Sequence, residues 1–135
     1  MNPYKTVACP SCHENFDLAH LAENREVEPI GMQFEDTDQH YNYYHFNHVC
    51  DRCGTTFLLP VLEFLPLIQE PVPNLVLAGT EDCERHCYDI KDLRTCDQPC
   101  MYAPFRRHLL TMRTEHETSV ATPAPGQDAV KKPAA

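Results

Sequence analysis

A chain of 135 residues with a formal net charge of −9, eight cysteines, twelve prolines and no tryptophan accommodates one domain, or a small domain with appendages, around a modest core. The acidity excludes nucleic-acid binding by the whole surface, because counterion release needs clustered Lys and Arg, and leaves only a local basic patch for that role. The most apolar run, Phe57 to Ile68, is too short and too broken by Pro60, Glu63 and Pro66 to span a bilayer, so no membrane partner is expected.

The prolines favour short elements joined by turns. A core this small needs a staple, either disulfide or metal. Met1 to Ala8 carries one lysine and no apolar stretch of the kind that leads a secreted chain. A cytoplasmic location is therefore expected, where thiols stay reduced and metal is favoured over disulfide.

Residues 1–57 carry two close cysteine pairs around a long insert. Leu18 to Ala22 reads as a short helix with Asp17 as its N-cap. Met32 to Asp38 reads as a strand running into an acidic loop. Tyr41 to Val49, rich in aromatics, reads as a strand that enters Cys50 directly, and Thr55 to Leu59 reads as its returning partner.

The pairs themselves are Cys9-Pro10-Ser11-Cys12 and Cys50-Asp51-Arg52-Cys53-Gly54. Two residues between two cysteines allow a tight turn to aim both sulfurs at one ion while the turn's amides donate to them. Pro10 fixes the first turn, and Gly54 is expected to take the positive φ such turns need at their end. Two such turns supply four thiolates, a complete tetrahedral site with no open position. Of the nearby histidines His13, His45 and His48, none is required as a ligand, and each is expected at the surface or behind the sulfurs.

These turns resemble the knuckles of the zinc-ribbon family, in which a Cys-Pro-x-Cys turn and a Cys-x-x-Cys-Gly turn sit on two hairpins. The resemblance covers about residues 7–60 and rests on Cys9, Pro10, Cys12, Cys50, Cys53 and Gly54. It departs from the common pattern in the length of the insert, residues 13–49, which must loop out. It implies zinc. A rubredoxin-like iron site uses the same ligands and stands as the alternative, although the glycine expected after its first knuckle is His13 here.

Residues 58–78 are apolar and proline-rich, and read as a connector and core strand packed under residues 79–113. The competing reading is a docking surface for a larger partner.

Residues 79–113 carry Cys83-x3-Cys87 and Cys96-x3-Cys100. A spacing of four places both sulfurs of a pair on one helical face. Thr80 and Thr95 serve as N-caps for the two helices of a Cys-rich hairpin. Its sulfurs suit a second zinc first, two nested disulfides (Cys83 to Cys100 and Cys87 to Cys96) second, and an iron–sulfur cluster third. His86 is an additional candidate ligand. Pro104 to Arg113 reads as a short amphipathic helix with Phe105, Leu109 and Met112 on one face and Arg106, Arg107 and Arg113 elsewhere. Residues 114–135, poor in apolar bulk, read as a disordered tail.

The expected fold is thus a small α+β, metal-stabilised one: zinc-ribbon-like β-hairpins followed by a Cys-rich helical hairpin. No nucleophile elbow, phosphate loop or metalloprotease pattern is present in the sequence, so no enzymatic activity is expected. The function that fits is a small zinc-binding interaction module, an adaptor or accessory subunit of a larger assembly with a protein partner. An iron electron carrier or thiol-redox protein is the second reading. A nucleic-acid-binding ribbon using Arg106 to Arg113 is the third.

Overall fold

The computed structural model describes residues 6–34 and 41–121. Strands β1 (Thr6–Ala8) and β2 (Asn15–Asp17) form a two-stranded antiparallel hairpin. Asp17 ends β2 and caps a 3-10 segment, Leu18–Glu23, by accepting from the Ala19 amide at 3.0 Å. Strands β3 (Val27–Phe34), β4 (Asn42–Val49) and β5 (Gly54–Pro60) then form an antiparallel sheet with β4 in the middle. The rest of the acidic stretch expected after β3 lies outside the described residues.

The central strand alternates strictly. Asn42, Tyr44, Phe46 and His48 are buried, and Tyr43, His45 and Asn47 between them are half-buried. A period of two puts alternate residues on one face of a sheet, so the buried face of β4 carries two aromatic rings and a histidine. Phe57 of β5 pairs in register with Phe46, and their rings stack at 5.5 Å. Phe64 meets Tyr44 edge-on at 4.9 Å, and Phe16 extends the aromatic cluster from β2. Each ring removed from water is worth about 2–3 kcal/mol by area alone.

The apolar run after β5 does not continue as a strand. Beyond Pro60 it turns into a 3-10 segment, Val61–Leu67, which buries Val61 and Phe64 and leaves Leu62 and Leu65 exposed. Pro60 and Pro66 cannot donate to a sheet ladder, which is why the sheet ends here.

The expected Cys-rich helical hairpin is not formed. Residues 79–100 are turns and irregular chain, with a single 3-10 turn at His86–Tyr88. Asp89 and Asp92 take the backbone amides two residues on, at Lys91 (2.9 Å) and Arg94 (3.1 Å). Such local side-chain acceptors compete with helical hydrogen bonding. Arg85 is left-handed, at φ 68°. Thr80 does not cap a helix either. Its hydroxyl donates to the Leu77 carbonyl and accepts from the Asp82 amide, closing a turn.

The one α-helix among the described residues, α1, spans Ala103–Ala121. Phe105, Leu109 and Met112 are buried at helical spacing, as the sequence implies. The helix runs on through residues 114–121 of the tail expected to be disordered over residues 114–135, and the rest of that tail, 122–135, lies outside the described residues. No glycine or proline interrupts those residues, and the first proline beyond them is Pro123. The helix packs on β3 and on Leu18–Glu23. Tyr44 donates to the Phe105 carbonyl at 2.7 Å, which ties the sheet to the first turn of the helix.

A bulge between Pro29 and Gly31 breaks the β3–β4 register. Arg113 donates to the carbonyls there, Pro29 at 2.7 Å and Ile30 at 3.2 Å. Gly31 is where the irregular chain comes nearest to the sheet, since a Cβ built there would lie 2.3 Å from the Ile90 carbonyl oxygen. A Gly31→Ala substitution must displace that backbone. The expected cost is about 1–3 kcal/mol of stability in urea denaturation, the usual range for overpacking.

Candidate metal centre

Both Cys-x-x-Cys pairs sit at hairpin turns. Cys9 and Cys12 lie between β1 and β2, in a turn closed by the Cys9 amide to the Glu14 carbonyl (2.8 Å) and the His13 amide to the Cys9 carbonyl (2.9 Å). Cys50 and Cys53 lie between β4 and β5, where the Cys50 amide donates to the Cys53 carbonyl at 2.9 Å. The fold brings the two turns together. Sulfur separations are 3.8 Å for Cys9 and Cys53, 3.9 Å for Cys12 and Cys50, and 3.9 Å for Cys50 and Cys53.

Those distances have a direct reading. With metal–sulfur bonds of about 2.3 Å, the edge of a tetrahedron is about 3.8 Å. The three separations match that edge. The four sulfurs do not all fall within 4.8 Å of one another, but Cys9, Cys12 and Cys53 do so together with a His48 ring nitrogen.

The amides around the cluster point at it. Ser11 and Cys12 donate to the Cys9 sulfur at 3.4 and 3.5 Å, and Arg52 donates to the Cys50 sulfur at 3.4 Å. Burial opposes ionisation of Cys9, yet these amides and His48 outweigh it and lower its pKa to about 6. The Arg52 amide likewise holds the Cys50 thiol below its usual value. Cys53 goes the other way. Burial and the neighbouring sulfurs of Cys12, Cys9 and Cys50 push it up to about 12. Without a cation, the cluster can carry some of its charges but not all of them.

The positive φ falls on His13, at 67°, and not on Gly54. Gly54 opens β5, and a side chain there would meet nothing within 4 Å. The first knuckle thus asks a histidine to take a conformation that favours glycine. His13 is exposed, and His45 is half-buried on the opposite face of β4 from His48.

His48 is the residue to which sequence reasoning gave too little weight. It is fully buried, with Nδ1 3.6 Å from the Cys53 sulfur and 4.0 Å from that of Cys12. Phe16 packs edge-on against its ring at 4.9 Å. Its Nε2 faces Glu14 at 3.5 Å and Glu26 at 3.7 Å. Burial lowers its pKa, but the sulfurs of Cys9 and Cys50 and the Glu14 carboxylate outweigh burial and raise it. The signal was present in the two-residue period that puts His48 on the same face as Tyr44 and Phe46. The donor set therefore offers either four sulfurs with His48 donating to them, or three sulfurs and one imidazole. Cys50 stands 3.9 Å from both Cys12 and Cys53, and the His48 ring nitrogen lies within 4.8 Å of Cys9, Cys12 and Cys53, so each set has its members at hand.

The other cysteines, Cys83, Cys87, Cys96 and Cys100, line one small cavity beside α1. No three of them approach within 4.8 Å. His86 is held on both sides, by Asp92 at Nδ1 (2.9 Å) and Glu84 at Nε2 (3.1 Å), which leaves neither ring nitrogen for a metal. No disulfide joins any two of the eight cysteines.

The arginines read as a basic patch are each engaged by other parts of the chain. Arg106 is buried, Arg107 forms a two-pronged pair with Glu70 at 2.7–3.1 Å, and Arg113 caps the bulge of β3. Among the described residues, no helix is long and apolar enough to cross a membrane. Comparison with protein-family models, with curated proteins and with solved structures yields no match.

A donor behind the ligands tunes a metal site without holding the ion. His48→Gln is therefore expected to weaken zinc retention about 10–100-fold in competition with a chromophoric chelator. A loss far beyond that range would make His48 a ligand.

Proposed function

We propose that the chain is a small zinc-stabilised interaction module, an adaptor or accessory subunit of a larger assembly. The carrying observation is the meeting of four cysteines on two facing hairpin turns, with three of their sulfur pairs 3.8–3.9 Å apart. Four ligands complete a zinc site and leave no position for substrate, so such an ion stabilises a fold and does not turn substrate over. In this reading Cys9, Cys12, Cys50 and Cys53 hold the ion in a zinc-ribbon-like arrangement. His48 donates to their sulfurs and offsets part of the net −2 charge of a zinc tetrathiolate.

The surface is then what acts. Leu62 and Leu65, 47% and 48% exposed, stand on the 3-10 segment after β5. The same segment leads into a groove of about 670 Å³ lined by Leu67, Ile68, Pro104, His108 and Met112. Exposed apolar side chains grouped beside a groove favour a protein partner. The internal engagement of Arg106, Arg107 and Arg113 removes the main support for phosphate contacts.

One observation keeps the electron-carrier reading in play. Cys12, Cys50 and Cys53 are only half-buried, so an ion among them would lie near the surface, as electron exchange requires. Thiolates accept iron as readily as zinc, and availability decides.

Elemental analysis and visible absorption of the chain purified anaerobically separate the two. Zinc in a colourless protein is expected, and iron with thiolate-to-iron absorption would replace the adaptor by an electron carrier. For the interaction itself, cross-linking in cells is expected to give a partner adduct that a Leu62→Asp/Leu65→Asp variant loses while keeping its zinc. Identical adducts from both proteins would contradict the assigned face.

A further inference from the structure

The irregular chain from Leu77 to Cys100 folds back on itself at the start of α1. Its four cysteines line one cavity of about 20 Å³, closed off by Phe34, Leu77, Ala78, Tyr102 and Ala103. A cavity of that size admits about one sphere as large as a water molecule. It gives a single ion room once the four sulfurs, no three of which lie within 4.8 Å of one another, draw in around it.

Three of the four sulfurs accept a hydrogen bond from nitrogen, and an amide faces the fourth. The Arg85 amide donates to Cys83 at 3.4 Å, and the Gln98 amide lies beside Cys96 and favours its thiolate. The Leu77 amide donates to Cys100 at 3.4 Å, and the Arg106 guanidinium donates to Cys87 at 3.6 Å. In both pairs the first cysteine is met by the amide two residues on. Ser11 meets Cys9 and Arg52 meets Cys50 in the same way at the first centre. Donors aimed at sulfur stabilise thiolates, whereas disulfide sulfurs carry no charge to reward them.

Arg106 supplies a second, independent indication. It is 1% exposed. Its other donors go to the carbonyls of Arg94 (2.8 Å) and Asp92. Among the described residues no carboxylate pairs with it; the nearby Asp92 carboxylate is taken by His86 and Arg94. A buried guanidinium needs an anion. The cysteine sulfurs in the same cavity wall, Cys87 at 3.6 Å first among them, are the groups within reach that become anions on binding a metal ion.

We propose that Cys83, Cys87, Cys96 and Cys100 form a second metal centre, a tetrathiolate for a zinc-class ion, with Arg106 as its buried counter-charge. The centre takes the place of a hydrophobic core for residues 77–100, which bury little apolar surface of their own. It anchors that chain between β3 and α1. His86, with both nitrogens engaged, contributes no ligand.

The test is metal content of the full chain, purified anaerobically, for the wild type and two double variants. The wild type is expected to hold two zinc ions. Cys96→Ser/Cys100→Ser and Cys9→Ser/Cys12→Ser are each expected to hold one. Should the first double variant keep the wild-type content, the proposal is overturned. If its ion is lost while Cys9→Ser/Cys12→Ser binds as much as the wild type, the second centre stands and the first falls. Because a variant can fail to fold, the wild type is also denatured and alkylated without reductant, with mass measured on the intact chain. Eight modified cysteines support the metal centre, and only four, with two disulfides mapped to residues 83–100, would refute it.

Discussion

Four sulfur atoms crowded so that three of their pairs lie 3.8–3.9 Å apart cannot all be thiolates unless a cation stands between them. Two unit charges about 4 Å apart repel by about 4 kcal/mol at an effective dielectric of 20. The cluster shows the consequence directly: Cys9 and Cys50 are eased toward thiolate by backbone amides, while Cys53 is driven up to about 12. An ion would release all four from this conflict. It would also join two hairpins that otherwise meet through Phe16, Phe57 and His48 and through Glu14 beside His48 and Arg52.

The rest of the architecture follows from where β4 runs. Its C-terminal end delivers Cys50, its buried face delivers His48, Phe46 and Tyr44, and Tyr44 reaches the first turn of α1. The helix in turn presents Arg106 to the second cysteine set and Arg113 to the bulge of β3. A perturbation at the first knuckle therefore has a short physical route to the chain around residues 77–100. That route is one strand and one hydrogen-bonded contact.

Several features were legible in the sequence because local chemistry decides them. The strand ending at Cys50, its returning partner, the Asp17 cap and the Phe105, Leu109 and Met112 face all rest on short-range periodicity or capping. The two cysteine turns could be paired in sequence because their spacing has few other uses. The irregular chain of residues 79–100 was not legible. A spacing of four is compatible with a helix but does not require one, and Asp89 and Asp92 draw the backbone into turns instead. Arg106 looked like a surface base because nothing local reveals that the first helical turn is buried under returning chain. The left-handed residue fell on His13 and not on Gly54, since the choice depends on how each hairpin closes. Helix α1 outran expectation because a polar composition is no barrier to a helix until a proline intervenes.

Whether sulfur alone holds the first centre, with His48 behind it, is tested most directly by zinc-edge X-ray absorption on the chain purified anaerobically. The expected result is a set of nearest neighbours made of sulfur only, at about 2.3 Å. A nitrogen scatterer at about 2.0–2.1 Å beside three sulfurs would move His48 into the coordination sphere and contradict the all-sulfur centre.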